Sequence, residues 1–313
     1  LIRIKAPKQM GKTSLMVRIL AQARTAAFHT VTLNFHLAEI KAFTDLRQFL
    51  HWFCTAVGQG LNLPNRLVDY WDDIFGANYN STDYFENYLL PAIEAPLVLA
   101  LDEIDVIFNH PEIATDFFGL LRVWYEKSKY GDGNSHTWQK LRLVMVHSTE
   151  VYIPININQS PFNVGLSVNL PEFTPEQVKE LAQRHGLNWS EPHQGTHITQ
   201  LMHLVGGNPY LIRMALYHLS HGQIDIEHFL QTATQENSVY SEHLWRQLKT
   251  LQEHPELLTS YQKVVLSSAS LEAIGLVQAM KLQSMGLIKV QLDRIVSSCD
   301  LYHQYFSLCL ASL

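Results

Sequence analysis

Eight residues near the N-terminus, Ala6 to Thr13, constrain the fold of this chain more than any other segment. They read Ala-Pro-Lys-Gln-Met-Gly-Lys-Thr, which fits the phosphate-loop pattern of Gly or Ala, four variable residues, Gly-Lys, and Ser or Thr. The pattern around them predicts a strand at Leu1–Lys5 and a helix at Lys12–Ala26. In this order, backbone N–H groups and the positive end of the helix surround a phosphate. The sequence therefore predicts a nucleoside triphosphate site.

The residue types within the loop predict individual roles. Lys12 is expected to reach the β- and γ-phosphate oxygens, and the Thr13 hydroxyl is expected to ligate Mg²⁺. Ala6 gives no easy access to positive φ, and Pro7 lacks an N–H donor. The cradle is thus expected to come from Lys8 through Thr13, and ATP or ADP with Mg²⁺ is the expected cofactor. The predicted phosphate-binding residues are Lys8, Gln9, Met10, Gly11, Lys12, Thr13 and Ser14.

A second motif follows downstream, where an apolar run ends in acidic residues. Leu97–Leu101 is entirely apolar, which predicts a strand buried on both faces, as in a parallel sheet covered by helices. Asp102 comes at the carboxyl end of that strand and is expected to hold the Mg²⁺ shell. Glu103 is expected to act as the general base toward the attacking water. The sequence leaves Asp105 open as a third acid of the site or as a cap of the following segment.

Length and composition bound the class of protein. The chain has 313 residues, a hydrophobic content of 47%, and a net charge of −6, which is no footprint of general nucleic-acid binding. No apolar run is long enough to span a membrane. The three cysteines lack CxxC spacing, which predicts reduced thiols and a cytoplasmic location. Because the chain begins within a predicted strand and ends in the apolar stretch Tyr305–Leu313, we expect a fragment of a larger protein.

An α/β rhythm extends to about residue 170 and predicts a nucleotide-binding domain at residues 1–172. Alternating strands and helices of this kind form a parallel sheet covered by helices on both faces. The predicted strands are Leu1–Lys5, Thr30–Phe35, Leu97–Leu101, Leu141–His147 and Leu166–Leu170. The predicted helices between them are Lys12–Ala26, Phe43–Val57, Tyr84–Ala92 and Ile113–Ser128.

The pattern becomes helical after residue 172. Thr174 begins a helix as its N-cap, with Pro at the first turn and Gln177 at the capping-box position. Helical periodicity continues to about Leu251, which predicts a helical domain at 173–255. Two further helical stretches precede short alternating runs at Leu287–Gln291 and Ile295–Leu301. Helices followed by a hairpin predict a winged-helix-like domain at 256–313.

The assembled motifs resemble the bacterial AAA-like domain family, which is grouped with the STAND signalling ATPases of the P-loop superfamily. The resemblance is carried by the P-loop, by Leu-Asp-Glu-Ile-Asp, by His-Ser-Thr-Glu-Val-Tyr beginning at His147, by Ser160-Pro-Phe-Asn-Val-Gly, and by Gly-Gly-Asn-Pro beginning at Gly206. It implies a core in which one inserted strand separates the acidic-pair strand from the P-loop strand. It also implies that the 173–255 domain is a lid and that a winged helix follows.

Two sets of site residues are implied by the resemblance alone. Ser148 and Thr149 end the strand after the acidic pair, where related ATPases place a polar sensor of the γ-phosphate. Many STAND relatives have arginine there, whereas neutral hydroxyls supply no charge, so we expect slow hydrolysis. Gly207 and Pro209 match the Gly-x-Pro of the STAND lid, which contacts the nucleotide. From the residues alone, glycine ends one helix, Asn208 caps the next, and proline occupies its first turn.

Three function classes follow from these observations. The favoured one is a slowly hydrolysing ATPase module that acts as a nucleotide-dependent signalling or assembly switch. The alternative is a DNA-associated AAA-type ATPase, and a small-molecule kinase is least favoured because no acceptor site is evident. The expected partners are the nucleotide, fused or associated effector and sensor domains, and further copies of the chain. The sequence leaves nucleic acid open, predicts no membrane partner, and does not rank Arg122, Arg142 or Arg184 as a finger or sensor.

Overall fold

A five-stranded parallel sheet forms the centre of the N-terminal part. The computed structural model describes residues 1–130, 135–148, 161–189, 195–222, 224–267, 270–291 and 294–311. The strand order is β2-β3-β4-β1-β5, and every pairing is parallel, as the α/β rhythm predicts. The strands are β1 Ile2–Lys5, β2 His29–Asn34, β3 Leu97–Asp102, β4 Leu141–His147 and β5 Leu166–Asn169.

The carboxyl ends of β1 to β4 meet at one edge of this sheet. Asn34 lies beside Asp102, Leu101 beside Met145, and Lys5 beside the last residue of β4. Strand β4 therefore separates the acidic-pair strand from the P-loop strand, which confirms the inserted strand that the resemblance implies. All six residues of β3 are buried, in agreement with the prediction of a strand covered on both faces.

Helices and an aromatic core support this sheet. The Asp45 side chain caps α2 by accepting a hydrogen bond from the Gln48 N–H at 2.8 Å. The buried Phe117 ring on α4 contacts the rings of Phe49 and Phe53 edge-on, which is a favourable aromatic geometry. The helices are α1 Lys12–Thr25, α2 Leu46–Gly60, α3 Ala77–Tyr84, α4 Pro111–Tyr130 and α5 Ser135–Trp138.

The helix predicted at Tyr84–Ala92 is wrong in its bounds. Helix α3 begins at Ala77 and passes at Phe85 into one π-helical turn that ends at Leu89. The polar sequence of α3 hides its helicity from an apolar-periodicity argument. Ser81 and Thr82 satisfy their hydroxyls on carbonyls four residues earlier, so both polar side chains fit within the helix.

The C-terminal part is mainly helical and ends in a hairpin and a helix. The predicted capping box of α6 is confirmed, because Thr174 and Gln177 exchange both side-chain-to-backbone hydrogen bonds. Within the described residues, no helix is long and apolar enough to cross a membrane. The elements are α6 Pro175–Arg184, α7 Gly195–Val205, α8 Pro209–Ser220, α9 Ile226–Thr232, α10 Ser241–Gln252, α11 Pro255–Ser267, α12 Leu271–Ile274, α13 Leu276–Ser284, β6 Ile288–Gln291, β7 Arg294–Ser297 and α14 Asp300–Leu310.

The second run predicted for the hairpin, Ile295–Leu301, is wrong at its carboxyl end. Strand β7 pairs antiparallel with β6 but ends at Ser297, and α14 begins at Asp300. Leu301 is buried as part of a helical stripe that continues to Phe306. The alternating apolar residues of β7 are followed closely by the apolar residues of α14. The sequence pattern alone therefore predicts one continuous strand. The winged-helix designation stays a prediction.

The contacts divide the chain into two compact units. The N-terminal unit comprises Leu1–Lys5 and Lys12–Asn169, and the C-terminal unit comprises Ala6–Gly11 and Leu170–Leu313. Each unit has its own buried hydrophobic core. The phosphate-loop residues 6–11 thus make their contacts with the C-terminal unit, which the sequence did not predict. The domain boundaries at 172 and 255 stay predictions.

Candidate nucleotide-binding site

A threonine and an aspartate from the two predicted motifs meet in the N-terminal unit. Thr13 lies in the first turn of α1, and Asp102, which is 4% exposed, is the last residue of β3. The Thr13 hydroxyl donates to Oδ2 of Asp102 at 3.2 Å, and the Glu103 N–H donates to Oδ1 at 3.0 Å. Because the threonine proton points to the carboxylate, the lone pairs of this hydroxyl can face a cation.

The chemistry of this pair fits Mg²⁺. A hydroxyl and a carboxylate are hard oxygen donors, which this ion prefers. An octahedron with bonds of about 2.1 Å places neighbouring oxygens about 3 Å apart, close to the 3.2 Å between Thr13 Oγ1 and Asp102 Oδ2. The metal-binding roles of these two residues stay predictions that the geometry fits.

The lysine of the P-loop is the first residue of α1. Lys12 is only 7% exposed, which is rare for a lysine, because burial of an ammonium group requires compensation by polar or anionic partners. No acidic residue occupies the first turn of α1. The positive end of the helix dipole and the lysine charge therefore favour an anion at this terminus.

Glu103 has a strained backbone directly after β3. Its φ of 56° and ψ of 40° lie in the left-handed region, and it occupies the N-cap of the 3₁₀ segment Ile104–Asn109. A non-glycine residue in this region costs about 1 kcal/mol and is typical of functional sites. Its side chain is 34% exposed, and its Oε2 lies 4.0 Å from Nε2 of His36.

His36 is a neighbour of Glu103 that the sequence analysis missed. A signal was present, because β2 and β3 are adjacent and parallel and Asn34 lies beside Asp102. Residues that follow these two positions are therefore close in space. Pairing the two strands from the sequence would have placed His36 beside the predicted base.

Ser148 lies directly beyond β4 and is held by Asp105. The Ser148 N–H lies 2.9 and 3.1 Å from the two carboxylate oxygens of Asp105, and its hydroxyl donates to Oδ2 at 2.9 Å. Asp105 does not cap the 3₁₀ segment, whose N-cap is Glu103. Thr149, the second predicted sensor residue, lies outside the described residues.

The phosphate loop itself has the backbone of an anion-binding turn. Gln9 has a φ of 66° and Gly11 a φ of 89°, and alternation between right- and left-handed residues directs successive N–H groups toward one point. Met10 is buried, whereas the side chains of Lys8, Gln9, Thr13 and Ser14 are exposed. This geometry agrees with the predicted cradle, and the individual phosphate contacts stay predictions.

Two hydrogen bonds hold this loop within the C-terminal unit. The Lys8 N–H donates to the carbonyl of Ser284 at 2.8 Å. The Gln9 amide nitrogen lies 3.4 Å from Nδ1 of His243. The Lys8 amide is therefore already engaged in this structure, and the backbone donors predicted for phosphate begin at Gln9.

His243 is a buried polar residue that no local signal in the sequence revealed. It is 2% exposed, its Nε2 lies 2.7 Å from the Tyr302 hydroxyl, and its ring stacks on that of Tyr302. Burial, with a smaller contribution from the Arg246 charge, lowers the pKa of His243 to about 4. The Gln9 amide nitrogen can only donate, so Nδ1 accepts and Nε2 carries the proton.

The Gly-Gly-Asn-Pro segment joins α7 to α8. Gly206, with a φ of 64°, follows the end of α7, and the Asn208 side chain caps α8 by accepting from two backbone N–H groups. Gly207 packs against the backbone of Phe173, whose N–H donates to the Gly207 carbonyl at 2.8 Å. The predicted capping arrangement is confirmed, with Pro209 in the first turn. Contact of Gly207 and Pro209 with a nucleotide stays a prediction.

Comparison with known proteins identifies the family. Residues 1–308 match the model of the AAA-like domain. The chain belongs to the AAA-like domain family. No curated protein matched the sequence of this AAA-like domain.

Several solved structures are similar to this chain. A Walker-type ATPase of Pyrococcus abyssi is 12% identical, with a TM-score of 0.66 over 98% of this chain and 90% of that one. Drosophila ORC bound to DNA is 12% identical, with a TM-score of 0.45 over 99% and 89% of the two chains. The RuvB Holliday junction branch migration motor of Thermotoga maritima is 12% identical, with a TM-score of 0.42 over 97% and 86%. The first of these shows that the AAA-like domain shares the fold of a P-loop ATPase.

Proposed function

We propose that this AAA-like domain binds Mg²⁺–ATP, hydrolyses it slowly, and acts as a nucleotide-dependent signalling or assembly switch within a larger protein. The observation that carries the ATP site is the hydrogen bond from Thr13 to Asp102, with Glu103 as the next residue. It joins the two motifs in the arrangement that a P-loop ATPase requires.

The residues have separate roles in the proposed reaction. Lys12 and the backbone N–H groups from Gln9 to Ser14 bind and orient the phosphates. Glu103 accepts a proton from the attacking water as that water bonds to the γ-phosphorus. Thr13 and Asp102 would hold Mg²⁺, which would neutralise phosphate charge when bound.

Slow turnover is proposed because the site, within the described residues, lacks part of the positive charge that would stabilise the transferring phosphoryl group. Ser148 is neutral where an arginine would add charge. Of the arginines that the sequence left unranked, Arg122 pairs with Glu126 and Arg184 pairs with Glu180. An arginine finger from another protein can raise turnover by several orders of magnitude, so we expect a lone copy to hydrolyse poorly.

The switch is proposed because the phosphate loop is bonded to the C-terminal unit. A change in loop conformation on nucleotide binding would alter the bonds from Lys8 to Ser284 and from Gln9 to His243. Fused effector or sensor domains could respond to that change, as the relation to STAND ATPases implies. The net charge of −6 disfavours the DNA-associated alternative.

Substitution of Lys12 tests the nucleotide site. We expect Lys12→Ala to weaken Mg²⁺–ATP binding at least about tenfold, because loss of one phosphate-facing charge removes more than about 1.5 kcal/mol. Lys179→Ala, at an exposed lysine of α6, serves as the matched control and should bind as the wild type does. Titration calorimetry that gives equal ATP affinity for a folded Lys12→Ala protein contradicts the proposed site.

Comparison of nucleotide states tests the switch. We expect hydrogen exchange at α10 and α13 and the solution scattering profile to differ among the apo, ADP and ATP-analogue forms. Identical data in all three states would contradict the proposed switch and would favour a simple ATPase. Salt-dependent binding to duplex DNA would instead favour the DNA-associated alternative.

A further inference from the structure

Asp105 and Ser148 are joined by hydrogen bonds from both the backbone and the side chain of Ser148. They are 43 residues apart in sequence, and Ser148 is buried. Asp105 follows β3 within the 3₁₀ segment, whereas Ser148 follows β4. The carboxylate accepts both the backbone N–H and the hydroxyl of Ser148, at distances between 2.9 and 3.1 Å.

The direction of these hydrogen bonds is fixed by chemistry. A carboxylate only accepts, so the hydroxyl proton of Ser148 must point to Asp105. The N–H of Ser148 points to the same group. Ser148 therefore has no proton left for a phosphate oxygen, and its hydroxyl oxygen presents only lone pairs to its surroundings.

The sheet topology places Ser148 at the carboxyl edge of the parallel sheet. Strand β4 lies between β3, which ends in Asp102, and β1, which leads into the phosphate loop. Ser148 follows the last residue of β4, whose register partner is Lys5. A group at this position is adjacent to the carboxyl ends of both motif strands.

We propose that Asp105 is a positioning residue that fixes Ser148 as a hydrogen-bond acceptor for the attacking water and prevents it from donating to the γ-phosphate. This inference rests on the proposed ATPase function and specifies how Ser148 would act as the expected sensor. The water donates a hydrogen bond to Ser148 Oγ and transfers its other proton to the Glu103 carboxylate. Its oxygen bonds to the γ-phosphorus as the bond to the bridging oxygen breaks, and ADP leaves with that electron pair.

If Ser148 gives no proton to the γ-phosphate, its hydroxyl contributes nothing to the preference for ATP over ADP. Ser148→Ala should then lower turnover about tenfold while the ratio of ATP-analogue to ADP affinity stays as in the wild type. Ser148→Thr retains the hydroxyl and should therefore turn over ATP at about the wild-type rate.

Asp105→Asn provides the sharper test because it can invert the bond. The amide oxygen can still accept from the Ser148 N–H, but the amide nitrogen donates to Oγ and releases the hydroxyl proton. We expect the ATP-analogue affinity to rise about tenfold relative to that of ADP, as one added hydrogen bond to a charged group allows, while turnover falls. Adding Ser148→Ala to Asp105→Asn should return the affinity ratio to the wild-type value.

Titration calorimetry with ADP and a non-hydrolysable ATP analogue, together with single-turnover hydrolysis, measures these quantities. Asp116→Asn, an exposed acid on α4, is the matched charge control and should change neither ratio nor rate. A tenfold loss of ATP preference in Ser148→Ala overturns the proposal, because it shows that Ser148 donates to the phosphate. Should Asp105→Asn not fold, the Ser148→Ala ratio alone decides. Absence of any nucleotide binding by the wild type would refute the proposed function as well.

Discussion

Buried His243 should make the stability of the C-terminal unit depend on pH. Burial lowers the pKa of His243 to about 4, whereas an unfolded histidine titrates near 6.5. The unfolded state therefore binds more protons than the folded state between these values. Stability is fully present above the unfolded pKa and is lost as the pH falls toward the folded pKa.

The magnitude follows from the two pKa values. The full difference corresponds to about 3.4 kcal/mol, of which about 2 kcal/mol is lost between pH 7.5 and pH 5.0. His243 is 2% exposed and bonded to Tyr302, so solvent screening does not reduce this figure much. A loss of this size is a large part of the stability of an ordinary domain.

A non-titrating substitution isolates the effect. Urea unfolding at pH 7.5 and pH 5.0, with hydrogen exchange at α10 to report on the C-terminal unit, should show a loss about 2 kcal/mol smaller in His243→Gln than in the wild type. His254→Gln, at an exposed histidine of the same unit, should lose as much as the wild type. Equal pH dependence in wild type and His243→Gln would refute the assignment of a neutral, buried imidazole.

Two further predictions concern the acidic residues Asp102 and Glu103 and the neighbouring glycines Gly206 and Gly207. Glu103→Gln should still bind ATP but lose turnover by about 100-fold or more, as measured by phosphate release. Asp102→Asn should also weaken the Mg²⁺ dependence of ATP binding, as measured by calorimetry. Equal turnover of Glu103→Gln and the wild type would contradict the role of Glu103 as the general base. Gly207→Ala should destabilise by about 3 kcal/mol in urea unfolding, because the new Cβ would lie 2.5 Å from the Phe173 carbonyl oxygen. Gly206→Ala, which meets only ordinary contacts but has a φ of 64°, should cost about 1 kcal/mol, and equal costs for the two would show that space is not the limit.

The sequence predicted β3 most directly because that strand is an apolar run that stops at a polar residue. Leu97 to Leu101 ends in Asp102, and the loop at Gly11 opens directly into α1. Such patterns are local, so they locate elements and motif residues well. The polar helix α3 lacks an apolar stripe, and for that reason the predicted helix was placed too far along the chain.

Contacts between distant residues were beyond the reach of local patterns. The hydrogen bonds between Asp105 and Ser148 and between Gln9 and His243 do not follow from the spacing of residues in the sequence. Each depends on which elements become neighbours after folding, and His243 belongs to no motif. The resemblance therefore named Ser148 as a polar sensor of the γ-phosphate, but its hydrogen bond to Asp105 did not follow from the sequence.

The phosphate loop is synthesised well before the residues that bond to it. Gln9 of the loop and its partner His243 are 234 residues apart in the sequence. At a translation rate of about 5–20 residues per second, His243 follows Gln9 by about 10–50 s. During that interval β1 and α1 can form, while Lys8 and Gln9 lack the groups that hold them. A nascent chain should therefore bind nucleotide weakly until its C-terminal helices are complete.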